Sequence, residues 1–288
     1  HVIDLLLYNW IVLIMSPWVV MGYVQIMLAK KNNIMKVGIC LSGIPKFWKK
    51  SLLSIKKYFP DADIFIHAWD VDDEDISKET VQREEWYHRS VLGKGKYNIL
   101  QIIEQFNPVS YKIEKFKDKK NIFFSKREKY INEKIRQVEP TTNIGALSMF
   151  YSVYQSNKIK KEYEILKNKK YNIIVRMRFD SDIKDWRDDL FENVSTICIP
   201  EGRDHAVNPP GINDQFSFGP SELMDKLCSC YKNIDNAVKE SRGVDKDGNI
   251  HTTGMYTPEV NFLRYLEIVN VFPDLVKRID LTVEINYE

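Results

Sequence analysis

Two arginines and two aspartates alternate through one short stretch, Tyr171–Ile183 (Tyr-Asn-Ile-Ile-Val-Arg-Met-Arg-Phe-Asp-Ser-Asp-Ile). The apolar run Ile173-Ile174-Val175 places them on a strand, expected over Tyr171–Phe179. Strand side chains alternate between faces, so Arg176, Arg178, Asp180 and Asp182 are expected on one side and Val175, Met177, Phe179 and Ser181 on the other. Four charges in a row inside a sheet are costly unless something pairs them. The economical arrangement is a strand whose end opens into a cleft. There Asp180 and Asp182 would hold Mg2+ or Mn2+, and the arginines would meet a diphosphate or hold the aspartates in position. A metal–diphosphate pair suits a nucleotide-sugar leaving group, whose charge grows as the glycosidic bond breaks.

Two other readings of Asp-Ser-Asp stay open. One is a surface turn capping a short helix that opens at Trp186. The other is a haloacid-dehalogenase-type phosphatase, which also carries Asp-x-Asp after an apolar strand. That reading wants Thr or Val two residues after the second Asp and an apolar run directly before the first; Lys184 and Arg178-Phe179 stand there.

The elements that must position these residues follow from the rest of the chain. With 288 residues, of which 44% are hydrophobic and 28% charged, it is globular in composition and long enough for a large α/β core. A net charge of +2, from 42 basic and 40 acidic side chains, lacks the concentrated basic excess of a nucleic-acid binder, so no nucleic-acid partner is expected. Cys40 and Cys198 sit in apolar runs, and Cys228 and Cys230 have no second Cys/His pair at zinc spacing. Neither a disulfide framework nor a zinc site is expected, and a reducing compartment fits.

Residues 1–34 stand apart. Leu5–Leu28 carries no charge and exceeds the roughly 20 residues that cross a bilayer. With Lys30-Lys31 behind it, the positive-inside rule would leave the following domain cytoplasmic, at a membrane face. The competing expectation is a non-native or upstream-translated extension, because Met35-Lys36-Val37 resembles a natural domain start and Asn9, Pro17 and Gln25 weaken the span. No basic n-region or small-residue cleavage site suggests a signal peptide.

From residue 35 the pattern is β-α-β: a strand Lys36–Leu41 ending at Ser42-Gly43, a helix over about Phe47–Tyr58, and a buried strand Asp63–Trp69 ending at Asp70. This unit predicts parallel pairing and a ligand crevice at the strands' C-terminal ends. A helical turn (Leu100–Phe106), a strand (Ser110–Phe116) and an exposed Lys-rich segment (Lys117–Lys134) are expected next. A helix from about Ile144 to Lys169 precedes the charged strand. Beyond it come strands at Thr196–Ile199 and Asp214–Phe218, one helix over Ser221–Glu240, a Gly-rich loop Gly243–Gly254, a helix Thr257–Ile268 with Pro258 and Glu259 in its first turn, and a last strand Leu281–Ile285.

Five segments, in order, resemble a family of bacterial and viral GT-A-type glycosyltransferases associated with surface polysaccharides. They are Val-Gly-Ile-Cys-Leu-Ser-Gly (37–43), Asp-Ile-Phe-Ile-His-Ala-Trp-Asp (63–70), Ala-Leu-Ser-Met-Phe-Tyr-Ser (146–152), the stretch 171–182, and Asn-Asp-Gln-Phe-Ser-Phe-Gly (213–219). The resemblance implies a three-layer α/β/α sandwich with a mostly parallel sheet over residues 35–288. It also implies a nucleotide-sugar donor, an oligosaccharide or glycan acceptor, and Mn2+ or Mg2+ on the aspartate pair.

Nucleotide contacts are then implied at Ser42 and Gly43. Lys46 stands where such proteins often carry an Arg that meets phosphate, keeping the charge but losing the fork. Asp70 is a candidate for the base or ribose, and Arg176, Arg178 and Asp180 for the diphosphate or ribose. Trp69 would stack on a base or close the core, and His67 reads as a packed, hydrogen-bonded histidine. Asp214, after the 208–211 turn, is the first candidate to deprotonate the acceptor hydroxyl and Glu259 the second. His251 is either a further metal ligand or an exposed loop residue. The expected reaction is transfer of a hexose or related sugar to a glycan hydroxyl; the alternatives are the phosphatase and a non-catalytic sugar-binding protein of the same fold.

Overall fold

The computed structural model describes residues 35–71, 98–132, 144–201, 211–240, 243–244, 250–251 and 258–285. The unit beginning at Val37 is described by itself. The apolar span Leu5–Leu28, most of the expected loop Gly243–Gly254 and the His251 side chain lie outside the described residues. Among the described residues no helix is long and apolar enough to cross a membrane.

Strand β1 (Val37–Gly43) leads through helix α1 (Trp48–Tyr58) to β2 (Asp63–Asp70). Helix α2 (Ile99–Phe106) and strand β3 (Ser110–Lys115) come next, then α3 (Phe116–Asn132), α4 (Ile144–Leu166) and β4 (Ile173–Arg178). A short strand β5 (Ser181–Ile183), a 3-10 turn (Asp188–Phe191), β6 (Ile197–Pro200) and β7 (Phe216–Pro220) lead to α5 (Ser221–Cys228), a second 3-10 turn (Cys230–Asn233) and α6 (Ile234–Glu240). After the paired two-residue strands β8 (Gly243–Val244) and β9 (Ile250–His251) come α7 (Pro258–Ile268), β10 (Val276–Ile279) and β11 (Val283–Ile285).

Seven strands form one sheet in the order β10-β6-β7-β4-β1-β2-β3. β1 pairs in parallel with β2 and β4, β2 with β3, and β6 with β10, while β7 runs antiparallel to β4 and β6. Helices α1 and α2 bury Leu52, Ile55, Ile102, Ile103 and Phe106 against one face. On the other face α4 packs with α3, α5, α6 and α7 through residues such as Phe123, Phe150, Met224, Val238 and Phe262. This is the expected three-layer α/β sandwich with a mostly parallel sheet. The first three strands step outward in one direction and β4 returns to the other side of β1, so the strand order reverses between β1 and β4. A doubly wound sheet opens its ligand crevice at the C-terminal ends of such a pair.

Local chemistry explains several element ends. The Asn98 side chain caps α2, accepting from the N–H groups of Leu100 at 3.0 Å and Gln101 at 3.2 Å. Lys56 and Lys57 occupy the last turn of α1, where cations favour the helix dipole. Helix α4 has a polar buried side: Lys160 is enclosed by Asp225 at 2.8 Å, Ser221 at 2.9 Å and Glu164 at 3.1 Å, which ties α4 to α5.

Several expectations change. The Lys-rich segment Lys117–Lys134 is for the most part helix α3, held by the buried anchors Phe123 and Tyr130 and by Lys126 and Lys129 on Asp235 of α6. The single helix expected over Ser221–Glu240 breaks at Ser229, whose hydroxyl bonds back to the Asp225 carbonyl at 2.7 Å. Strand β10 falls between the expected helix Thr257–Ile268 and the expected last strand, in a stretch for which no element is expected. The last strand, β11, pairs with β5 outside the main sheet.

Candidate functional site

The crevice between β1 and β4 is built from two strand ends. After β1 the chain turns sharply: Gly43 takes φ +117°, Phe47 sits in the left-handed region at φ +54°, and the Lys46 N–H donates to the Ile44 carbonyl at 2.8 Å. A left-handed Phe is costly, and such strain collects at ligand-binding loops. The turn brings Lys46 into the field of both Asp180 and Arg178; burial and Arg178 lower the Lys46 pKa while Asp180 raises it.

At the end of β4 the expected alternation fails. Even-numbered Arg176 turns to the α4–α7 side, where its guanidinium stacks over Phe262 at 5.5 Å, while Val175, Met177 and Phe179 join the α1–α2 core. Phe179-Asp180 then form a turn, and β5 starts afresh at Ser181. Asp182 therefore does not continue the row of Arg176 and Arg178. Its carboxylate reaches α1, accepting from Ser54 Oγ at 3.1 Å, and pairs with Lys184 Nζ at 2.5 Å. Asp180, 4% exposed, accepts both arms of the Arg178 fork, Nε at 2.9 Å and Nη2 at 2.8 Å.

A second wall carries two carboxyls. Asn213 Oδ1 accepts from the Gln215 N–H at 2.8 Å, a side-chain turn that presents Asp214 just before β7. The Ile212 N–H donates to the Glu259 carbonyl at 3.2 Å in the first turn of α7. Gly211 makes this approach feasible, because a Cβ there would lie 2.6 Å from the Glu259 Cβ and 2.8 Å from its carbonyl carbon. Asp214 and Glu259, 6% and 9% exposed, thus lie close enough to interact. Burial, then the Asp214 charge, push the Glu259 carboxyl up to about 8, against an opposing effect of Arg178.

Arg176 joins the two walls. It is 1% exposed and donates through Nη1 to the Asp214 carbonyl, while its Nε and Nη2 have no hydrogen-bond partner among the described residues. Ser217, its cross-strand neighbour, and Gln215 carry similarly buried oxygens without partners among the described residues. Unsatisfied buried groups are rare, and their gathering marks a place built for something beyond the fold. The sequence reading missed Gln215, Ser217 and the fully buried Asn261; a polar residue on the apolar face of an amphipathic strand or helix is the available signal.

The other expected residues divide. Ser42 is buried in β1, paired in register with Arg178 of β4. Asp70 ends β2 opposite Lys115. Trp69 closes the core, packed on Phe116, Phe123 and Tyr151 with its indole N–H on the Ser148 carbonyl at 3.3 Å. His67 Nδ1 lies 2.7 Å from Ser152 Oγ and Nε2 lies 3.0 Å from Glu114. The order Ser–His–carboxylate is that of a nucleophile relay, yet Ser152 and His67 are 0% exposed, so no substrate reaches them. The chain of bonds clamps α4 to β2 and β3. Burial lowers the His67 pKa.

The aspartate pair does not fit a shared divalent cation. Both Asp180 oxygens lie in the Arg178 fork, and the two Asp182 oxygens meet Ser54 and Lys184 on the α1 side. Among the described residues no group of three His, Cys, Asp or Glu side chains could hold a metal ion.

No family model matches the chain, and no curated protein matches it. Among solved structures the chain is similar to mouse xyloside xylosyltransferase 1 in its apo form, with a TM-score of 0.36 and 11% identity over 85% of each chain.

Proposed function

We propose that residues 35–288 form a glycosyltransferase that moves a sugar from a nucleotide-sugar donor to a glycan hydroxyl. One observation carries this reading: Arg178, at the end of β4, lies within electrostatic reach of Lys46 after β1 on one side and of Glu259, beside Asp214, on the other. The resemblance of the five ordered segments supports it.

In this reading the cations face the diphosphate and the carboxyls face the acceptor. The bond between the sugar C1 and the phosphate oxygen breaks, and its electron pair leaves with the nucleoside diphosphate. The acceptor oxygen bonds to C1, and its proton passes to Asp214. Glu259, kept protonated by burial and by its neighbour, leaves Asp214 as the base and can hydrogen-bond the acceptor.

Nucleoside diphosphate release from a panel of nucleotide sugars, with glycan acceptors, tests the proposal. Wild type is expected to turn over at least one donor, Asp214→Asn to lose about two orders of magnitude or more in kcat, and Arg178→Gln to raise KM as well as lower kcat. Turnover unchanged in Asp214→Asn would reject its role as base. Release of inorganic phosphate from simple esters in place of diphosphate would favour a phosphatase.

A further inference from the structure

A departing diphosphate needs positive charge beside it, from a divalent cation or from side chains fixed in the fold. We propose that this chain binds the nucleoside diphosphate through Lys46 and Arg178 without a divalent cation, and that Asp182 is a structural clasp outside the donor site. The inference rests on the donor-site reading above and specifies how that site meets its charge.

A turn at Phe179-Asp180 interrupts the strand before Asp182, and each carboxylate has a cation of its own, Arg178 on Asp180 and Lys184 on Asp182. Asp182 is engaged on the α1 side. Ser54 Oγ donates to it at 3.1 Å and accepts from the neighbouring Ile183 N–H at 3.0 Å, so one hydroxyl fastens α1 to both the Asp182 carboxylate and the Ile183 backbone. Lys184 completes the clasp, reaching Asp182 at 2.5 Å and Glu284 of β11 at 3.4 Å. A cation drawn to Asp182 would have to displace an ammonium already in place.

Asp180 remains on the crevice side, in the fork of Arg178. A carboxylate and a phosphate present nearly the same pair of oxygens to a guanidinium, so one can replace the other in a bidentate pair. Arg178, whose side chain is about a third exposed, has room to make this exchange. Asp180 therefore holds the fork before a nucleotide binds, and an incoming phosphate takes its place. The released carboxylate is then available to a ribose hydroxyl. Lys46 supplies the second charge from the opposite wall, and buried Arg176 adds positive potential from beneath, with two nitrogens uncommitted. Together the two walls provide a cationic cleft on rigid strand ends, which requires no added ion.

The test is equilibrium binding of UDP, GDP and dTDP to the full chain, measured by titration calorimetry in EDTA and again in Mn2+. At least one nucleotide is expected to bind with affinities that agree within about threefold between the two conditions. Asp182→Asn is expected to bind that nucleotide as wild type does while melting at a lower temperature. Lys46→Gln and Arg178→Gln, each confirmed folded by its melting transition, are expected to weaken binding at least tenfold in EDTA. Binding that appears only with Mn2+, or that Asp182→Asn abolishes in a folded protein, overturns the inference and leaves the transferase reading standing. Binding to none of the three in either condition removes the donor-site reading and the inference with it. The wild-type comparison needs no variant to fold.

Discussion

Ser54 Oγ donates to Asp182 Oδ1 at 3.1 Å, joining helix α1 to strand β5 across 128 residues of chain. The same hydroxyl accepts from the Ile183 N–H at 3.0 Å, and Ser54 is buried. Breaking a buried hydrogen bond to a charged group costs about 1–3 kcal/mol. Ser54→Ala is therefore expected to lower stability by about that amount, read as a drop of roughly 2–4 °C in Tm per kcal/mol for a domain of this size. An unchanged Tm would show that the clasp contributes nothing.

Gly211 governs how closely the loop before β7 approaches α7. A methyl group there would press into the backbone and Cβ of Glu259, and inserting carbon into such a contact costs about 1–3 kcal/mol. Gly211→Ala is expected to lose stability by that amount and to lower turnover more than it raises the donor KM, because the carboxyl pair shifts while the Lys46–Arg178 side stays intact. Steady-state kinetics with denaturant melts check both parts.

Glu259 makes stability depend on pH between about 4.5 and 8. Its folded pKa, raised to about 8 by burial and by Asp214, lies above the unfolded value of 4.5, so the folded protein binds the extra proton between these limits. Stability is fully present at low pH and falls as pH rises towards and through 8, by at most about 1.4 kcal/mol per pH unit for this one group. Denaturant unfolding from pH 5 to 9 should show a steeper decline for wild type than for Glu259→Gln. Identical slopes would contradict the assignment.

Glu114 acts at the acidic end. Burial alone would raise its pKa, but hydrogen bonds from His67, Lys112 and Tyr151 outweigh burial and hold the carboxyl at about 2, below its ordinary 4.5. Its contribution is present above the unfolded value and is lost as pH falls from about 4.5 towards 2. Glu114→Gln should start less stable at pH 7 and lose less between pH 5 and 2.5 than wild type, as read by circular dichroism.

The parts of this molecule legible in its sequence are those where apolar runs or turn residues act locally. Val37–Gly43, Asp63–Asp70 and Ile173–Arg178 each carry a run of apolar residues because helices cover both faces of a largely parallel sheet. Strand β10, Val-Lys-Arg-Ile, was unreadable because an edge strand tolerates exposed Lys277 beside Val276 and Ile279. The Lys-rich helix α3 was obscured because Phe123 and Tyr130 are few among many charges, and its ion pairs with Asp235 are distant in the chain. At the site, alternation assigned Arg176 and Arg178 correctly to one side. It failed at Asp182 because a two-residue turn restarts the register, and Asp180 and Ser181, though turn-compatible, serve a strand end or a metal pair equally well in the sequence pattern. The meeting of Asp214 with Glu259 depends on tertiary approach over Gly211, which spacing does not encode.

The most direct measurement is the mass of the acceptor. Glycan acceptors incubated with wild-type protein and a panel of nucleotide sugars, then read by mass spectrometry, should gain the mass of one sugar residue, with one equivalent of nucleoside diphosphate released. The Asp214→Asn protein, folded and nucleotide-binding, should leave the acceptor unchanged over the same time. Nucleotide binding without any gain in acceptor mass across the panel, or sugar transfer by Asp214→Asn at the wild-type rate, would contradict the account.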